Sequence, residues 1–565
     1  MSVYFDLLRQ WCDALIEHQV QRMGPDFDGA FLCPACKYEH GRCMDAVYPF
    51  MYLADRTGEE KYLRAAESVV AWHDRHMICD DGGVYNDPNS AWRGITVFAA
   101  TALCEALEKH SSLLSDQTRA AWQNKLSRMS EWLFRSIDEH SPANINYVAT
   151  NAAALALTGS CLHRPEYLTQ AKHLAAYTLD RITENGLLYG EGKPREALTP
   201  RRCRPIDIGY NVEESIPSLI KYALAANDRP ALDKLTEVLR RQLAFMLPDG
   251  AWDNSFGSRN NKWTYYGSRT SDGCQAGYAL LADRDPAFAE AALRNTLLMQ
   301  SCSSGGLLFG GAQYPQHGEP ACIHHTFTHA NALTCALDAG IERYTQRTPL
   351  PCDAPAPIAH FPEVDTWKLA AGGLRATVTG YDHDLTAGHA SGGALTLLWH
   401  QKHGPIIAGS VVDYRLVEPH NQQQTVRFSS HRTLVPRVEL FFEGTRYAQC
   451  YDARAAITVS GDAQRIQVDV HAALVSLEQR PLPSPICVSL RYTLTDCEVV
   501  LSGQVFGSDA SQARFLLPVI APSVQVDIPG QYTAAPVFFL TGGFGATEYT
   551  LSPDEEGRFF ARLSL

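Results

Sequence analysis

Four stretches of the chain share one pattern of polar and apolar positions. "TGEEKYLRAAESVVAWHDRHM", "HRPEYLTQAKHLAAYTLDRIT", "NDRPALDKLTEVLRRQLAFML" and "DRDPAFAEAALRNTLLMQSCS" each open with a polar turn and continue with apolar residues at helical spacing. Three carry proline near the first helical position, where its missing N–H costs nothing. Each then ends in a glycine-containing turn closed by an aromatic residue: "DDGGVYND", "ENGLLYGEG", "PDGAWDNSFG" and "SSGGLLFGG". Weaker copies run from "SDQTRAAWQNKL" to "HSPANINY" and from the N-terminal helix to "DFDGAFL". Between copies lie stretches rich in Ala and Leu and poor in charge, such as "MDAVYPFMYLAD", "YVATNAAALALTG" and "TFTHANALTCALDAGI". Low charge all round marks helices buried on most sides. About twelve helices paired in about six hairpins predict an α/α toroid; an open helical solenoid would use the same hairpin.

The pattern changes after "RYTQRTPLPCDAPAPIAHFPE", whose prolines mark a linker. Beyond it, β-branched and alternating segments take over: "LRATVTGY", "ALTLLWHQ", "GPIIAGSVVDY", "RVELFFEG", "RIQVDVHAALVSL", "ICVSLRYTL" and "CEVVLSGQVF". Short strands separated by turns predict an antiparallel β-sandwich. The expected class is α+β multidomain: toroid 1–347, linker 348–362, sandwich 363–565.

Composition narrows the function. A net charge of −13 disfavours nucleic acid. No basic-then-apolar leader and no long apolar run appear, so neither export nor membrane insertion is expected. Sixteen cysteines without a compact framework read as reduced thiols and a cytoplasmic location. Oligomeric state is not encoded legibly. "KPREALTPRRCRP" (193–205) is locally basic, and either faces an anionic ligand or is a solvated loop.

A hairpin repeat places all the glycine turns at one rim. The residues after them are Cys33, Cys36, His40 and Arg42; Tyr85 and Asn86; Asn146 and Asn151; Arg195, Tyr210 and Glu213; Asn254, Arg259, Tyr265, Tyr266 and Arg269; and His317, His324 and His325. "GSRNNKWTYYGSRTSDGC" is a poor helix and a poor strand, and long polar loops are commonly functional. Its Trp263 offers a flat face for a sugar ring. "CIHHTFTHAN" puts His329 one helical turn beyond His325. His, Tyr, Arg and Asn without a carboxylate pair suit β-elimination at a uronic acid. Asn, Arg or a protonated group neutralises the carboxylate, His or Tyr takes the C5 proton, and Tyr or His protonates the oxygen leaving C4. The expected partner is an anionic oligosaccharide, bound by His40, Arg42, Tyr210, Glu213, Arg259, Trp263 and His329.

These stretches resemble the polysaccharide lyases that join an α/α toroid to a β-sandwich, the heparinase-like, alginate and chondroitin lyases. "NYVATNAAALA", "KWTYYGSRTSDG" and "CIHHTFTHA" look like their Asn, Tyr and His segments. With "HGRCMDAVYP", the chain most resembles lyases that release rhamnose from glucuronate. The resemblance implies Asn151 and Arg269 for the carboxylate, His324 or His325 as base, and Tyr265 or Tyr266 as acid. No cofactor is needed for that chemistry.

Three other functions compete. A hydrolase of the unsaturated-glucuronyl type would draw on Glu213, Glu214, Asp253 and Asp272; a uronate epimerase would share the first proton abstraction; a sugar-binding protein would turn nothing over. Separately, Cys33, Cys36, His40 and Cys43 have a spacing compatible with structural zinc.

Overall fold

The computed structural model describes residues 2–87, 91–193, 195–269, 271–412, 433–539 and 542–565. The last two positions of the predicted strand "GPIIAGSVVDY", 413 and 414, lie outside them. The helical part contains α1 (Val3–His18), α2 (Val47–Thr57), α3 (Glu60–His76), α4 (Thr96–His110), α5 (Asp116–Ser136), α6 (Asn146–Cys161) and α7 (Pro165–Leu179). It continues with α8 (Ile208–Tyr210), α9 (Ile216–Ala225), α10 (Arg229–Gln242), α11 (Gln275–Leu280), α12 (Pro286–Ser301) and α13 (Ile323–Asp338). A π-helical turn, Asn211–Ser215, joins α8 to α9.

Packing turns this list into a ring. The charge-poor helices follow one another as α2, α4, α6, α9, α11 and α13, and α13 returns to pack on α2. Outside them, α3, α5, α7, α10 and α12 each pack on the preceding inner helix, and α1 packs on α13. The α13–α2 contact closes the toroid and rules out an open solenoid. Outer helices start where their chemistry predicts: Ser115 accepts from Thr118 N at 3.1 Å, Asp228 from Ala231 N at 3.1 Å, and prolines occupy the first turn of α7, α10 and α12.

The glycine turns do more than reverse the chain. Gly82 and Gly250 have φ of +96° and +93°, a region that L side chains rarely adopt. A Cβ on Gly82 would lie 2.2 Å from the Arg128 carbonyl oxygen of α5, and one on Gly250 2.3 Å from that of Arg294 on α12. Each turn therefore tucks under the next outer helix and hands its following residues to the same end of the ring.

The C-terminal part is built from antiparallel sheets. A five-stranded meander runs from Ile358–Phe361 to Gly404–Ala408, so its first strand begins inside the proline-rich segment. A second five-stranded sheet and a six-stranded sheet follow. Leu369, Ala376 and Leu398 of the meander share one core with Val468, Leu490 and Leu501 of the six-stranded sheet, giving the β-sandwich. Among the described residues no helix is long and apolar enough to cross a membrane.

The two parts are tightly joined. Arg201 of the basic segment donates to Asp365 Oδ2 at 2.5 Å and to the Ala455 carbonyl at 2.8 Å, and Arg204 N donates to the Glu363 carbonyl at 2.8 Å. In these contacts that segment is a strap between toroid and sandwich. Buried Asp253 accepts from Thr377 Oγ1 at 2.5 Å and pairs with Lys368, both from the sandwich.

Candidate active site

The π turn organises the mouth of the ring. Pro217 has no N–H for the Glu213 carbonyl, so a regular helical bond is missing there. Ile216 N reaches back to the Asn211 carbonyl, and the Glu213 carbonyl accepts instead from Gly273 N at 3.3 Å. The wide turn is thus tied to the 257–274 loop, and it holds Glu213 and Glu214 buried. Single π turns are frequent at functional sites.

One connected network starts here. The phenol oxygen of Tyr210 accepts from Arg259 Nη2 at 2.9 Å and from Lys262 Nζ at 3.4 Å. Arg259 Nη1 pairs with Glu191 Oε2 at 3.0 Å, and Glu191 Oε1 accepts from Asn146 N at 2.9 Å. Asn146 Nδ2 in turn donates to Glu214 Oε1 at 2.5 Å. Burial, reinforced by the nearby Asp272 charge, pushes the Glu214 carboxyl up to about 8, while Arg42 and Asn146 oppose the rise. Arg42 itself is gripped by Asp45 at 2.7 Å and by Asp272. Solvent reaches this network: the side chains of Arg259 and Asp272 are 17% and 27% exposed, and Trp92, bonded to the Tyr147 hydroxyl at 3.2 Å, is 43% exposed.

A second cluster is sealed. The Tyr266 hydroxyl lies 3.3 Å from His325 Nδ1, and the Tyr266 ring meets His329 edge-on at 5.3 Å. His329 Nδ1 is 2.8 Å from the His325 carbonyl, and its Nε2 is 3.8 Å from Glu213 Oε1. Glu213 Oε2 accepts from Ser268 N at 2.8 Å. All four side chains are fully buried. Burial, then His329 and Arg269, hold the His325 imidazole well below its ordinary range, so it is neutral.

Other residues singled out in the sequence go elsewhere. Tyr265 donates to Asp249 Oδ2 at 2.8 Å, and Trp263 Nε1 to the Trp252 carbonyl at 2.9 Å. Both belong to an apolar cluster shared with the sandwich, so Trp263 presents no face to the mouth. Asn151 Nδ2 is bound to the Ile137 carbonyl at 2.9 Å; Asn146 is the amide that meets the network. Arg269 is buried with its backbone N–H on the Lys262 carbonyl at 3.1 Å, and its charge stays close enough to the sealed cluster to act on His325. His324 stacks on Phe327 and meets the His40 ring at a tilt, 5.5 Å away. Of the hydrolase carboxylates, Asp253 and Asp272 are held by Lys368 and Arg42.

Glu191, Lys262 and, from the sandwich, His383 also sit at the mouth, with no sequence signal of their own. A Cβ on Gly192, next to Glu191, would lie 3.5 Å from the His383 ring and 3.5 Å from Ser258, which places His383 beside the mouth. No local pattern in "YDHDLTAGH" signals this. Cysteine placement also changes: Cys33, Cys36 and His40 cluster with Cys322, not with Cys43, which is buried near Lys125 and Asp45.

Comparison with known proteins adds the family context. A family model described as the ulvan lyase N-terminal domain matches residues 8–353, and one described as the ulvan lyase C-terminal domain matches 358–528. A broad-specificity ulvan lyase of Formosa agariphila is 38% identical over 531 residues, covering 92% of this chain and 82% of the relative. The crystal structure of heparinase III superposes with a TM-score of 0.58 at 10% identity, over 99% of this chain and 84% of that one. That likeness is one of fold.

Proposed function

Because the chain belongs to the ulvan lyase family and is a polysaccharide lyase, a carbon–oxygen lyase, we propose that it cleaves ulvan by β-elimination at a uronic acid, with Tyr210 at the reacting carbon. The observation that carries this reading is the Tyr210 oxygen held between Arg259 and Lys262 in a network that ends at Glu214. Two cations at one phenol oxygen stabilise negative charge there. As phenolate, Tyr210 takes the C5 proton; as phenol, it returns a proton to the oxygen leaving C4. The C5–H and C4–O bonds break, and a C4=C5 double bond forms.

The sugar carboxylate must be neutralised first. With its proton held up to about 8, Glu214 is a neutral donor at pH 7, and the Asn146 amide sits beside it. A carboxylic acid kept protonated can hydrogen-bond an anion instead of repelling it. Trp92 supplies an exposed ring at the same mouth, suited to a sugar face.

The test is the ultraviolet absorbance of the new double bond when the purified protein meets ulvan. Rising absorbance that is lost in Tyr210→Phe supports the reading. Full activity in that variant with loss in Tyr266→Phe moves the chemistry to the sealed cluster, whose neutral His325 is the observation in its favour. The finer reading, rhamnose release from glucuronate, predicts the same signal from rhamnose-capped glucuronate oligosaccharides.

A further inference from the structure

Cys33, Cys36, His40 and Cys322 each offer a ligand atom, and all four atoms lie within 4.8 Å of one another. The Cys33–Cys322 and Cys36–Cys322 sulfur separations are 3.8 and 3.9 Å. A tetrahedron with zinc–sulfur bonds of about 2.3 Å has sulfur–sulfur edges of roughly 3.8 Å, whereas a disulfide needs about 2.05 Å. His40 is 3% exposed, yet its Nε2 has no hydrogen-bond partner among the described residues. A buried imidazole nitrogen left unbonded is costly unless something else takes it.

The turn that carries the first two cysteines is shaped for chelation. Cys36 N points at Cys33 Sγ at 3.4 Å, Lys37 N closes the turn on the Cys33 carbonyl at 2.9 Å, and Lys37 itself adopts φ +65°. An N–H aimed at a sulfur supports a thiolate ligand from its second shell. Cys322 comes from the far end of the toroid sequence, as the N-cap of α13. Three thiolates and one imidazole complete a closed four-coordinate set with no position left for water or substrate.

We propose that these four residues bind one structural zinc ion that staples the loop after α1 to the head of α13. The staple joins residues 286 and 289 positions apart, at the seam where the first and last helices of the ring pack together. It also fixes the start of the helix that carries His324, His325 and His329. The role is positional: the ion touches no reacting atom, and the lyase chemistry above does not use it.

The test uses the full chain made without a histidine tag in zinc-supplemented medium. Elemental analysis should find one zinc per chain, and zinc-edge absorption spectroscopy three sulfurs and one nitrogen. Cys322→Ser and His40→Ala should lose the metal, while His40→Cys, which restores a fourth ligand, and Cys43→Ser should keep it. If the serine variant fails to fold, thiol modification of the wild type should release one equivalent of zinc to a chromophoric chelator. Wild type without zinc, a disulfide among Cys33, Cys36 and Cys322 in the mass spectrum, or zinc kept in a folded Cys322→Ser and lost in Cys43→Ser would each overturn the proposal. Since zinc content is read without substrate, failure here leaves the lyase reading intact, and the reverse also holds.

Discussion

The mouth network around Tyr210 and the sealed cluster around Tyr266 are made of the same kinds of side chain, yet their surroundings differ. Each has a tyrosine, a buried glutamate and a nitrogen base or cation. At the mouth the phenol oxygen faces two cations and side chains that reach solvent. In the sealed cluster the phenol faces a neutral imidazole, and burial holds it far above its ordinary range. Both tyrosines are themselves buried, so charge and the exposure of neighbouring side chains, rather than residue type, set the two apart.

The sharpest way to break this contrast is to remove each hydroxyl. Tyr210→Phe should lower kcat on ulvan by about 10²–10⁴-fold, the usual contribution of a positioned acid–base group, with the variant still folded by circular dichroism. Next in size, Arg259→Lys keeps a cation but cannot span Glu191 and Tyr210 at once. Losing one charge-assisted hydrogen bond of about 1.5–3 kcal/mol should cost roughly 10–160-fold in kcat/KM.

The pH profile sharpens the comparison further. Glu214 donates only while protonated, so activity should fall as pH rises through about 8. Glu214→Gln keeps a donor that does not titrate, and its profile should stay flat there; an unchanged alkaline fall would remove Glu214 from the mechanism. The smallest effect belongs to the sealed cluster. Tyr266→Phe should cost about 0.5–1.5 kcal/mol of stability by denaturant melt and leave kcat within a few-fold of wild type.

Much of the architecture was legible because the hairpin repeats its own punctuation. Glycine turns after each outer helix and charge-poor inner helices gave the ring, and alternating segments gave the sandwich. The site was less legible because chemistry-bearing residues reveal type but not depth. "WTYY" illustrates this: Trp263 and Tyr265, two apart, share one side against the sandwich, while Tyr266 turns into the toroid. Asn146 and Asn151 lie on one helix, and only the one nearer its start meets Glu214. Contacts that cross the chain were out of reach, as with Cys322 joining Cys33 and His383 reaching Gly192.

The wide turn at Asn211–Ser215 also uncouples the two segments it joins. One extra residue there rotates the segment on its N-terminal side by about 100° relative to the helix on its C-terminal side, since a helix advances by that angle per residue. Tyr210 and the packing face of α9 are therefore set on separate dials. A single-residue insertion or deletion in this segment would turn a different side chain toward the mouth while α9 kept its seat between α6 and α11.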